Sequence, residues 1–438
     1  MHQYFLAPLL TERDDAESGE GGIDPLGTEP LADALAVKLA PGVRERQQHP
    51  RFLTAMAVSL EICRDFDEDT LAADGVSAPW IVFEWYLVEG LVRSTDASER
   101  LGLPGSLKAT RARDDGVPLS ARRYLKTIFG FHGVYRQLAR TLGIEDNGRL
   151  DDNGFELLSV WAVEQGLAGF AGTGDGPGQA VRTQLEDAVR AGLESGTTKR
   201  SGGWSGWEFF RKHLAPYRAG EREARFITTA LLNDPKGFRH DVMEFLISAK
   251  GRRVWEATNS EREFHRALRV TAQEEFCCLL DAIDGFESFS RLCQDAFQDC
   301  LFEMTRQHGQ KTSLASLAAL RSVQLASKQV PKLFGEVITR LEAVGEDVRF
   351  SETFAGLAER GSAKEWVERL IKHHLKTQKR KPPNGKNPWF EQFEKDGSLI
   401  IRPGYRTEEP GTHDDRYVHL YRTRSLWQFA RDLYLVRP

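Results

Sequence analysis

Long apolar runs are missing from this 438-residue chain. No uninterrupted stretch reaches the roughly 18 residues that a membrane-spanning helix needs, so no membrane partner is expected. Residues 1–10 hold no Lys or Arg and include Pro8, and a secretory signal is not expected. Cysteine is scarce: there are five, an odd number, and Cys277, Cys278, Cys293 and Cys300 share one segment patterned as helix. That argues against a disulfide framework and for reduced thiols in a cytoplasmic protein. Adjacent cysteines on a helix point about 100° apart, so packed thiols are expected rather than a metal site. Nucleotide-triphosphate loops, zincin helices and esterase elbows are all missing, as is any internal repeat, and no cofactor is expected.

What is present is ordinary globular composition, 40% hydrophobic and 28% charged. Single cores stop growing at roughly 250–300 residues, so two or three domains are expected. The apolar residues recur at helical spacing over most of the chain, for instance at 52–63, 80–92 and 286–307. The expected fold is mainly α, a multi-domain helical protein ending in a small α+β module. Residues 1–168 form a helical N-terminal domain, 169–206 a glycine-rich linker region with one helix, 207–360 a second helical domain, and 361–438 a basic, aromatic-rich C-terminal module. The series Gly172, Gly174, Gly176, Gly178 reads as a mobile junction. A phosphate-cradling loop would follow a strand and open a helix, whereas here a helix precedes and Pro177 lies inside.

Charge is unevenly placed. The net formal charge is −5, yet residues 361–438 carry 16 Lys and Arg against 10 Asp and Glu, leaving −11 on the rest. Lys379, Arg380, Lys381 and Lys386 follow the helix expected at 363–378 and are candidate phosphate contacts, with Arg402 and Arg406 beyond them. Trp389, Phe390, Tyr405, Tyr417, Tyr421 and Trp427 interleave with Arg402, Arg406, Arg416, Arg422 and Arg424, a combination suited to base stacking with phosphate neutralisation. The same aromatics would also serve as the core of a small module. His374-Leu375-Lys376 has the beginning of a phospholipase-type nuclease motif, but Lys379, Arg380 and Lys381 stand where its acid and glycine-serine pair would follow. Asp65, Asp67 and Asp69 alternate after a helix and read as a solvated acid run.

Residues 120–166 read as helix (120–129), helix (132–142), tight polar hairpin near 145–150, and helix (155–164), an order that resembles a winged-helix unit. The resemblance implies that the second helix enters the major groove and the hairpin touches the backbone or minor groove. Carried onto this sequence, the reading helix exposes Tyr135, Arg136, Gln137 and Arg140, with the wing at 146–149. This wing is short and acidic, a departure from the basic pattern. The phrases GTEPLADALAVKLAPG (27–42), GFHGVYRQLARTLG (130–143) and HLYR (419–422) also resemble a family of uncharacterised bacterial proteins found among phage-defence and DNA-modification genes. That resemblance supplies no activity and no catalytic residues. It implies a DNA-associated role or one in a complex with other proteins of the same system. The expectation is a non-enzymatic component of a bacterial defence or DNA-processing system. A nuclease with a dispersed site and a protein-only scaffold are the alternatives.

Overall fold

A computed structural model describes residues 24–94, 103–112, 115–120, 130–172, 174–217, 219–235, 237–382 and 384–436. Among these residues are 18 helices and two antiparallel two-stranded sheets, a mainly α fold. In chain order the helices are α1 Glu29–Leu39, α2 Phe52–Ile62, α3 Pro79–Ser94, α4 Ser106–Ala112, α5 Phe131–Thr141, α6 Asp152–Glu164, α7 Pro177–Ser195, α8 Ser205–His213, α9 Glu221–Leu232, α10 Arg239–Ile247, α11 Ala249–Thr258 and α12 Glu261–Arg269. They continue with α13 Glu274–Arg306, α14 Leu314–Ala318, α15 Arg321–Glu342, α16 Asp347–Ala358, α17 Ala363–Arg380 and α18 Thr423–Asp432. Strands β1 Glu145–Asp146 and β2 Arg149–Leu150 form one hairpin, and β3 Phe390–Gln392 pairs with β4 Leu399–Ile401 in the other. No helix among the described residues is long and apolar enough to cross a membrane.

The chain divides into two compact units. One holds Ala32–Leu280 and the segment from His419 onward; the other holds Asp281–Val418 and the segment ending at Leu31. These divisions differ from those read from composition at 168, 206 and 360. The glycine-rich stretch 169–206 lies inside the first unit, and one division falls within α13. Composition marks linkers, whereas here the chain leaves a unit inside a helix and returns to it much later.

In the first unit α2 is buried on every side, from Phe52 to Ile62. A helix apolar all round belongs in a core, and its few polar groups then need partners. Arg51, just before it, is fully buried and grips Glu223 through Nε at 2.9 Å and Nη2 at 3.1 Å. The same guanidinium donates to the carbonyls of Ala215 and His213, and Thr54 donates to Glu223 at 2.7 Å. The glycine-rich stretch packs as part of this unit rather than bridging domains. A Cβ on Gly178 would lie 2.1 Å from the Leu167 carbonyl, so glycine there serves close backbone approach. Pro177 opens α7, the position where its missing N–H costs nothing. Arg182 then ties the loop down, donating to the carbonyls of Phe170 and Gly172 and to Glu61. The last segment is fastened by Glu261, which accepts from the backbone of Tyr421 and Thr423, and by Arg422, which pairs with Asp33 and Glu45.

In the second unit, α13 buries Phe289, Cys293, Ala296, Phe297, Cys300 and Met304, with Leu292 half-buried beside them. The rings of Phe289, Phe334, Phe350 and Phe354 pack together, Phe289 meeting Phe350 edge-on at 4.9 Å. Helix α17 starts at a capping box formed by Ser362 and Glu365. No strand forms at 417–421, where the sequence suggests one, and Tyr421 is anchored by Glu261 instead.

Candidate functional site

Helix α5 and the hairpin after it occupy the positions expected for a reading helix and wing. The helix expected at 120–129 lies, apart from Ser120, outside the described residues. Tyr135 is buried, not exposed: with Phe131, Leu138 and Leu142 it completes an apolar stripe at helical spacing. Its hydroxyl accepts from the backbone N–H of His49 at 2.8 Å, and burial pushes the phenol above its ordinary pKa. Gln137 is exposed. Arg136 and Arg140 are partly exposed but share one carboxylate. Arg136 donates to Glu145 Oε1 at 3.1 and 3.3 Å, Arg140 to Oε2 at 2.7 Å, and the Gly148 N–H to Oε1 at 2.7 Å. Burial raises the Glu145 pKa, but the bonds from Arg140, Gly148 and Arg136 outweigh it and hold the carboxyl below its ordinary value.

The basic segment in the second unit differs. Lys372, Lys376, Lys379 and Arg380 are all exposed on α17 and recur at helical spacing, with no ion pair among the described residues. Lys381 is half-buried and already engaged, and Lys386 is half-buried with its backbone N–H on the Gln378 carbonyl. Arg402 is half-buried, 3.9 Å from Glu391, while Arg406 is exposed. The interleaved aromatics are largely core: Trp389 and Phe390 are buried, and Tyr405 stacks on Trp389 at 4.8 Å. His374 is buried with both ring nitrogens in use. Nε2 accepts from the Trp389 N–H at 3.1 Å, so Nδ1 carries the proton and donates to the Pro25 carbonyl at 2.9 Å. Burial lowers its pKa to about 4, and its place in the sequence motif reflects packing.

A third feature was not singled out in the sequence. The end of α2, the start of α3, α5 and the β1–β2 hairpin bound a cleft of about 510 Å³. Met56, Leu60, Phe66, Trp80 and Phe155 supply apolar wall, and Arg64, Arg136 and Arg149 stand with Asp67 and Glu68 around it. Two of the residues that line this cleft, His132 and Glu61, are buried and each holds a polar atom without a hydrogen-bond partner. His132 Nδ1 lies 3.0 Å from Glu84 Oε2, which also accepts the His132 backbone N–H at 3.0 Å. A Cβ on Gly130 would overlap the Glu84 carboxylate, so glycine here lets that carboxylate lie across the start of α5. A carboxylate only accepts, so Nδ1 carries a proton and donates to it, leaving Nε2 on the far side of the ring. That Nε2 is buried without a hydrogen-bond partner. Glu61 Oε1 accepts from Arg64, Arg182 and the Gly172 N–H, while its buried Oε2 has no partner. Desolvation pushes the nearby Cys63 thiol up to about 12, which keeps it neutral.

No protein-family model, curated protein or solved structure matches the chain. Among the described residues no three His, Cys, Asp or Glu side chains are grouped so as to hold a metal ion. The sequence did carry a signal for Glu61, a lone carboxylate in an otherwise apolar helix. His132 gave none, because its partner Glu84 lies 48 residues away.

Proposed function

We propose that the protein associates with DNA through the phosphate backbone, as a non-enzymatic component of a bacterial defence or DNA-processing system. The observation that carries this reading is the row Lys372, Lys376, Lys379 and Arg380, exposed cations without carboxylate partners among the described residues. Unpaired exposed cations release counterions from DNA at no cost in broken ion pairs. The family resemblance of the phrases at 27–42, 130–143 and 419–422 supplies the cellular setting. The winged-helix likeness of 120–166 adds a second surface, in which Gln137, Arg136 and Arg140 meet DNA only if Glu145 yields the two arginines.

Retention on DNA at several salt concentrations, with and without a divalent cation and with the DNA checked for cleavage, tests the proposal. Salt-sensitive binding without cleavage is the expected result. Cation-dependent cleavage would replace it with the nuclease reading, and no retention with the scaffold reading.

A further inference from the structure

We infer that residues 407–418 are a strap that opens off α13 as one piece while the helix beneath it stays folded. This concerns the second unit alone and does not depend on the DNA contact proposed above. On α13, Glu287, Arg291, Gln298 and Thr305 recur at four- and seven-residue spacing, which sets them on one stripe, opposite Phe289, Cys293, Ala296 and Cys300. The strap runs antiparallel along that stripe, from Thr305 to Glu287. Thr305 Oγ1 accepts the Thr407 N–H at 3.2 Å, and Gln298 Nε2 donates at 3.0 Å to both the Thr407 hydroxyl and the Glu409 carbonyl. Arg291 donates to the Thr412 hydroxyl at 2.7 Å and to the carbonyls of Arg416 at 2.9 Å and Tyr417 at 3.2 Å. Glu287 accepts the Val418 N–H, and Asp299, beside the stripe, accepts the Gly411 N–H at 2.8 Å.

The composition of these contacts decides how the strap behaves. Between Arg406 and Arg416 no apolar side chain is buried: Thr407 is half-buried, Gly411 is buried and the other residues are exposed. Residues 407–414 make no backbone-to-backbone hydrogen bond among the described residues. The ties are made by side chains of α13, and no apolar side chain of the strap has to leave a core when they part. A segment with few buried apolar contacts and solvent-facing hydrogen bonds opens locally at far less cost than global unfolding. The opposite face of α13 stays packed through Phe289, Cys293, Ala296 and Cys300. Gly411 sets how flat the strap lies. A Cβ there would stand 3.0 Å from both the Asp295 Cα and its carbonyl oxygen, so a side chain at 411 lifts the strap without entering the core. The stripe beneath presents Glu287, Asp295 and Asp299 around Arg291, so the closed strap covers an acidic face.

Hydrogen exchange of the full chain, read by mass spectrometry, tests this. The amides of 407–414 should exchange at least about a hundredfold faster than those of 289–304 in α13, as opening without global unfolding implies. Their rate should hardly change in low urea, because little surface is exposed when the strap lifts. Gly411→Val should speed exchange of 407–414 by about a further tenfold, the equivalent of one or two lost hydrogen bonds. The same variant should leave the protection of 289–304 and the melting temperature as they were. Brief trypsin treatment should cut after Arg406 or Arg416 sooner in Gly411→Val than in the parent. Protection of 407–414 equal to that of α13, or exchange there that quickens steeply with urea, would overturn the inference. So would a Gly411→Val variant in which α13 loses protection together with the strap, because the strap would then belong to the same cooperative core as the helix.

Discussion

Arg136 and Arg140 on α5, and Lys379 and Arg380 at the end of α17, are each a close pair of partly or fully exposed cations on a helix. The first pair has a buried carboxylate between its members and the second has none among the described residues. Both pairs read in the sequence as candidate DNA contacts, the first on a helix expected to enter the major groove and the second as phosphate contacts. The difference lies with Glu145, delivered by a two-residue strand that the tight hairpin turns back toward α5. Charge counted along a chain is a poor guide to charge that is free to act, because a tertiary partner can claim it first.

The most drastic way to sharpen that contrast is at the fully claimed extreme, Arg51. Glu223→Ala leaves its buried guanidinium without a counter-charge and should cost about 3–5 kcal/mol in urea or thermal unfolding. A cost near zero would mean that the first unit does not depend on this pair. Glu145→Ala should cost less, about 1–2 kcal/mol, because Arg136 and Arg140 are partly exposed and can turn to solvent. The same variant should gain DNA affinity at low salt. An unchanged affinity would show that freeing these two arginines adds nothing.

Two acids set pH dependence of opposite sign. The folded pKa of Glu145 lies below the ordinary value of 4.5, so its stabilisation is present above 4.5 and lost as pH falls through the lower folded value. Melting temperature followed into acid should fall less steeply in Glu145→Gln than in the parent. Glu89 is the reverse: burial, only partly offset by bonds from Thr198 and the Val117 N–H, raises it to about 7. Its stabilisation is present below 4.5 and fades as pH rises through about 7. In Glu89→Gln that decline between 4.5 and 7 should disappear. Smallest of all is the expected effect on stability of replacing Lys372, Lys376, Lys379 and Arg380 with alanine, within about 0.5 kcal/mol, since all four are exposed.

Helices were legible wherever apolar spacing was regular, as in α2, α13 and α17, and so was the hairpin at 145–150. The role of the glycines at 169–178 was not, because the same residue type marks a flexible linker and a backbone packed too closely for a Cβ, and it takes the approach of Gly169 to Gly174, Gly176 to Ala168 and Gly178 to Leu167 to tell which. The units were hidden because the chain from His419 onward rejoins residues 160 and 377 positions earlier, through Glu261 and Glu45. Of the candidate contacts, Lys379, Arg380, Gln137 and Arg406 are exposed as expected, while Tyr135 was misplaced by reading α5 for charge before its apolar stripe. The buried His132 and Glu61 beside the cleft depend on pairings across 48 and 121 residues that no local pattern carries.

The most direct measurement is the logarithmic salt dependence of duplex DNA binding for three proteins: the parent, the Lys372/Lys376/Lys379/Arg380 alanine variant, and Arg136→Ala/Arg140→Ala. Each backbone contact contributes about 0.9 to the slope. The unpaired cations of α17 should account for most of it, so the first variant flattens the slope and weakens binding on every sequence, while the second leaves the slope as it was. A slope that flattens only in the α5 variant, or in neither, would contradict the assignment of DNA contact to the free cations of α17.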